Sequence, residues 1–211
     1  MAPALSLLIA LSATYPESIA KLAETRGALA ASPSKDRVSK ARQALLEAFD
    51  RDLFPAWEGT PWDFYGTSET PREGKIACGY YVSTLLRDAG FKVERVKLAQ
   101  QASEKIVKTF AAPSEIQRFR NVEPAEVVKQ VRARHGPGLY IVGLDYHAGL
   151  LRLTADAAFF CHAAVLGDAK ATCEKADTSP GMVSSYHVVG PALSDARIAD
   201  WLAQRDVLTS R

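Results

Sequence analysis

The sequence has little cysteine: three residues in 211, namely Cys78, Cys161 and Cys173. An odd count excludes a fully paired disulfide framework within one chain. One disulfide plus one free thiol stays open, with Cys161 and Cys173 the natural pair to test. Cys161 could equally pack in a sheet as a small hydrophobe. CxxC and HExxH spacings are missing, and with them the common zinc signatures. No cofactor or metal is expected. An excess of one charge is missing too: 26 basic residues face 24 acidic ones, for a net charge of +2. That excludes the electrostatic footprint of a nucleic-acid binder. The one basic run, Arg118, Arg120, Lys129, Arg132 and Arg134, also holds Glu123 and Glu126 and reads as a solvated helical face. No apolar run reaches the roughly 18–20 residues of a membrane-spanning helix. No internal repeat is present. A single monomeric chain with an ordinary buried core is expected: 47% of residues are hydrophobic and 24% charged.

The N-terminus supports two readings. Leu5–Ala13 is an apolar run of signal-peptide length ending in small residues, but it has no Lys or Arg before it. It is either an export signal, placed within residues 1–15, or the start of a buried first helix. Export and a cytoplasmic location both remain open. Residues 1–30 read as helix, and a break follows around Pro33. Residues 37–53 carry apolar positions at three- and four-residue spacing, an amphipathic helix ended by Pro55. Residues 54–76 then hold three Pro, three Gly and five aromatics. A long segment of that kind reads as a functional loop packed over something.

The apolar stripe of CGYYVSTLLRDA, residues 78–89, predicts a buried helix opened by Cys78. A short strand is expected near Val93–Leu98, then helices over 103–110 and 124–134. Four apolar segments follow between turns, at 139–144, 147–153, 158–165 and 186–189, and a helix closes the chain over 195–205. Helices first and strands later make an α+β domain with an antiparallel sheet.

Cys78 is the candidate nucleophile. An ordinary thiol, with a pKa near 8.5, is only about 3% thiolate at pH 7. A helix N-terminus and a nearby imidazolium both favour the anion, and a pKa near 6 would make it roughly 90% thiolate. Gly79 would let a substrate carbonyl approach the backbone. Of the four histidines, His135 reads as a helix C-terminal charge or cap and His187 as a surface or core-edge residue. His147, at a strand start, is the candidate base. The group orienting it is His162, one strand and turn later, with Asp145 the competitor. A zinc site built from Cys78, His147 and His162 lacks supporting ligand spacing. The backbone N–H of Cys78 and the hydroxyl of Tyr65 are the candidate oxyanion donors, and Trp62 could wall the cleft.

The stretches FYGTSETPREGKIACGYYVSTLLRDAGF and GLYIVGLDYHAGLLRLTADAAFFCHAAV carry a resemblance. The chain resembles the NlpC/P60 superfamily of papain-like cysteine peptidases and amidases over roughly residues 60–191. Members show an aromatic-rich segment with a Tyr, a helix-opening Cys in a D-C-S-G type motif, and an H-V-G-I type strand. A later strand then carries a second His or another polar residue. Ala77 and Gly79 stand here where the family has Asp and Ser. The resemblance implies a papain-like fold, a nucleophile helix on a small antiparallel sheet, with residues 1–55 as an added helical segment. Residues 56–211 would form the catalytic domain, with a helical insert at about 100–136. It implies Cys78 as nucleophile, His147 as base, His162 as its partner and Tyr65 at the oxyanion. The expected activity is hydrolysis of an amide through a thioacyl intermediate, as in cell-wall endopeptidases that cut peptidoglycan stem peptides. A lipid or ester acyltransferase on the same scaffold, or an inert binding module, is the alternative.

Overall fold

The computed structural model describes residues 14–210. The apolar run Leu5–Ala13 lies outside them. The first described helix, α1 (Tyr15–Ala31), starts at its own cap: the Glu17 carboxylate accepts from the backbone N–H and the hydroxyl of Thr14 at 2.7 and 2.8 Å. α2 (Arg37–Ala48) follows. Pro55 does not end it. A π turn over Phe49–Leu53 leads into α3 (Phe54–Trp57), which places Pro55 in a first turn, where its missing N–H leaves no bond unmade. Glu58–Ala77 is irregular, held by isolated bridges of Trp62 and Thr67 to Ile76 and of Pro61 to Lys170.

α4 (Cys78–Asp88) buries Tyr81, Val82, Leu85 and Leu86 almost completely. Each such side chain contributes about 1.5–3 kcal/mol by leaving water. The strand expected over 93–98 is confined to β1 (Lys92–Val93), and Arg95–Ala99 is helix α5. Arg95 decides this: its buried guanidinium donates to Thr84 Oγ1 and to the carbonyls of Thr67 and Ser68, which a helical first turn against α4 allows. α6 (Ser103–Phe110) and α7 (Pro124–His135) flank β2 (Gln117–Arg120), a strand the periodicity did not announce. Arg118 and Arg120 therefore lie on a strand, apart from the helical basic face. Arg118 pairs with Glu104 and Arg120 stacks on Tyr186.

β3 (Gly138–Leu144), β4 (Ala148–Leu153), β5 (Ala158–Ala163), β6 (Ala171–Lys175) and β7 (Tyr186–Pro191) complete a six-stranded antiparallel sheet of order β2-β7-β3-β4-β5-β6. α8 (Asp195–Ala203) and β8 (Asp206–Val207), the latter parallel to β1, end the described chain. The fold is mixed α+β, helices against an antiparallel sheet.

Strand alternation gives each sheet face its own core. Leu139, Ile141, Leu150 and Cys161 face α4 and the N-terminal helices, which share one buried cluster with them. Tyr140, Val142, Leu151 and Phe160 face α7. Cys161 and Cys173 are directly opposed on β5 and β6 and form a disulfide, so Cys161 is not a free packing thiol. Among the described residues no helix is long and apolar enough to cross a membrane.

Candidate active site

Cys78 occupies the first turn of α4 because Ala77 is extended and Tyr81 N–H closes the first helical bond on its carbonyl at 2.8 Å. Backbone N–H groups of Ala148, Gly79 and Cys78 itself face the sulfur and favour its anion. Burial outweighs them, and the thiol sits above its ordinary range. A resting thiolate would need the helix terminus and a nearby imidazolium to outweigh this desolvation. Gly79 lines the cleft beside Cys78 and has a packing role as well. The Ala99 carbonyl oxygen would lie 2.2 Å from a Cβ there, so the missing side chain admits α5.

His147 follows the two-residue turn Asp145–Tyr146 between β3 and β4, closed by Leu144 N–H donating to the His147 carbonyl at 2.8 Å. Ser103 Oγ donates to the Leu144 carbonyl at 2.6 Å and anchors that turn to α6. Cys78 and His147 line one cleft, with Trp62 and Tyr65. Trp62 packs partly on the core. Tyr65 is 83% exposed at the cleft mouth.

The structure brings His147 and His162 together: Nε2 of the first lies 2.8 Å from Nδ1 of the second. His162 Nε2 in turn lies 3.2 Å from Glu174 Oε1, which also accepts from the Ser179 hydroxyl. A carboxylate only accepts, so Nε2 of His162 carries its proton, and Nδ1 accepts from His147 Nε2–H. Nδ1 of His147 is then left with its lone pair, as a base requires. Burial and the neighbouring His162 hold His147 down to about 3. Burial also lowers His162, against the opposing pull of Glu174. Phe160 stacks on His162 and meets His147 edge-on, fixing both rings. Gly181 lies against His162, where a Cβ would approach ring carbon Cε1 to 2.4 Å.

Asp145 does not orient His147. Its carboxylate accepts from Ser184 Oγ and from the N–H groups of Ser185 and Tyr186, which lower its pKa. His187 is fully buried on β7 and pairs with the Met182 carbonyl at 2.8 Å, so the surface reading is corrected. His135 is not a C-terminal charge, because burial and Arg134 hold it below the usual histidine range. No family model, curated protein or solved structure matches the chain.

Sequence reasoning missed Glu174 and Ser179, and the amides of Gln100 and Gln101, which line the cleft. Glu174 had one signal. Pairing Cys161 with Cys173 sets Phe160 opposite Glu174, which leaves Glu174 diagonal to His162 on the same face. Among the described residues no group of three or more His, Cys, Asp or Glu side chains is placed to hold a metal ion.

Proposed function

We propose that the protein is a cysteine hydrolase that transfers an acyl group from an amide or ester to water, on a papain-like scaffold of the NlpC/P60 kind. One observation carries the reading: a helix-opening Cys78 shares a cleft with His147, which is backed by a His162–Glu174 chain. In the proposed reaction Cys78 Sγ attacks the carbonyl carbon while His147 Nδ1 takes the thiol proton. The C–N or C–O bond breaks, and the leaving group departs with that proton. Water then gives its proton to His147, adds to the thioester, and Cys78 leaves as the thiol, protonated again through His147. His162 and Glu174 act as positioning residues that hold the tautomer and spread the positive charge. Glu174 contributes the full negative charge that a histidine partner alone lacks.

The raised thiol pKa favours a second reading, a binding module with an inert, half-buried Cys78. Incubation with p-nitrophenyl acetate, acid quench and peptide mass mapping separates the two. A hydrolase shows acetyl on Cys78 that builds and decays, absent in Cys78→Ala and slowed at least tenfold in His147→Ala, within the usual range for a lost general base. An unlabelled Cys78, or labelling unchanged in His147→Ala, would overturn the hydrolase.

A further inference from the structure

We infer that the Cys78 cleft selects an uncharged acyl group with an aliphatic chain, a substrate class that rests on the hydrolase reading above. The cleft encloses about 1090 Å³, at the upper end of the roughly 300–1,000 Å³ of small-molecule sites. Nine large hydrophobic side chains are exposed among the described residues, and six line this cleft: Phe64, Tyr65, Tyr146, Val165, Leu166 and Val183. They arrive on four separate connections: the loop before α4, the β3–β4 turn, the β5–β6 turn and the β6–β7 segment. Scattered exposed apolar residues are ordinary. A patch assembled from four loops around a nucleophile is the mark of a ligand groove.

Charge points the same way. Among the described residues Asp145 is the one charged residue lining the cleft, and its carboxylate is held by Ser184, Ser185 and Tyr186. No described Lys or Arg lines it. A substrate carboxylate, such as those of acidic peptides, would be stripped of water beside apolar walls with no cation to meet it. An aliphatic chain would cover side chains that now face solvent.

The test compares kcat/KM of the full chain on p-nitrophenyl acetate, butyrate and octanoate below their micellar concentrations, and on the mono-p-nitrophenyl ester of suberic acid. Suberate matches octanoate in length and adds a terminal carboxylate. Each methylene taken from water is worth about fourfold. Octanoate is therefore expected to exceed acetate by at least about tenfold, even with half of its chain in the cleft. The suberate ester is expected to fall at least tenfold below octanoate. In Val183→Asp the octanoate-to-acetate ratio should drop by at least fivefold. A ratio under tenfold in the parent, a suberate ester equal to or better than octanoate, or an unchanged ratio in Val183→Asp overturns the inference. Acetylation of Cys78 by the acetate ester reads the hydrolase independently. A chain-blind but acetylated protein would sink the acyl preference alone.

Discussion

Glu174→Gln isolates the one full charge behind the proposed base. Glu174 Oε1 lies 3.2 Å from His162 Nε2. Two unit charges at that separation interact by about 5 kcal/mol at an effective dielectric near 20. The Glu174 side chain is 33% exposed, so solvent screens part of this. A charged hydrogen bond worth about 1.5–3 kcal/mol is the better measure. That predicts a roughly 10- to 150-fold loss of kcat/KM on p-nitrophenyl acetate. The loss should fall on kcat, with KM nearly constant, because Glu174 acts through His162 and does not line the cleft. A Gln amide can also donate to His162 Nε2, which would invert both tautomers and remove the lone pair on His147 Nδ1. Ser179→Ala keeps the charge and should lose less than Glu174→Gln. The assay is steady-state hydrolysis paired with urea unfolding of each variant. A Glu174→Gln protein within threefold of the parent in kcat, at an unchanged unfolding midpoint, would refute the chain of positioning residues.

Three further outcomes follow from the same geometry. Gly181→Ala should cut kcat by at least tenfold, because its Cβ would press on a His162 ring that is only 2% exposed; unchanged kcat would mean the ring has room to move. Reducing or deleting the Cys161–Cys173 disulfide, which spans 12 residues, should cost about 3 kcal/mol in urea unfolding. It should also lower kcat, since Cys161 and Cys173 are the chain neighbours of His162 and Glu174. Stability should fall in acid. Burial holds His147 neutral down to about 3, so the unfolded chain binds a proton first as pH drops below about 6.5. The stabilisation is complete above that value and is lost toward pH 3, at up to about 1.4 kcal/mol per pH unit, read by urea midpoints across pH.

What the sequence announced was whatever depends on period and local chemistry. The stripe of α4 and the span of α6 were visible because each buries one face against a core, and four of the six main-sheet strands because they are short apolar runs, largely buried, between turns. The pairing of His147 with His162 was readable because one strand and one turn separate them. Residues 93–98 failed because a buried Arg95, tied to Thr84, Thr67 and Ser68, overrides an apolar pattern that suits either state. β6 was missed because ATCEK is an edge strand of mostly half-buried residues. Its outer groups are covered by Glu58, which accepts from Thr172 Oγ1 and Cys173 N–H across more than a hundred residues. Losing β6 from view hid Glu174 with it. The desolvation of Cys78 was not readable for a related reason: the helix terminus is local, whereas the burial that opposes it comes from packing.

The opposed shifts of Cys78 and His147 constrain how the proposed hydrolase can work. Burial raises the thiol and lowers the imidazole, so the resting pair is neutral on both sides. Because burial disfavours both the thiolate and the imidazolium, complete proton transfer before attack would be uphill. Attraction between the resulting ions, and the pull of Glu174 through His162, would return only part of that. The economical route moves the proton as the S–C bond forms, so that no free thiolate accumulates. An apolar cleft suits this path, since it would penalise a waiting ion pair but tolerates a transition state whose charge is shared among the carbonyl oxygen, His147 and His162. Acylation of Cys78 should then slow in D₂O, because a proton is in flight at the barrier. An acylation rate identical in H₂O and D₂O would mean that the ion pair forms beforehand, and that substrate binding reverses the burial effects seen at both residues.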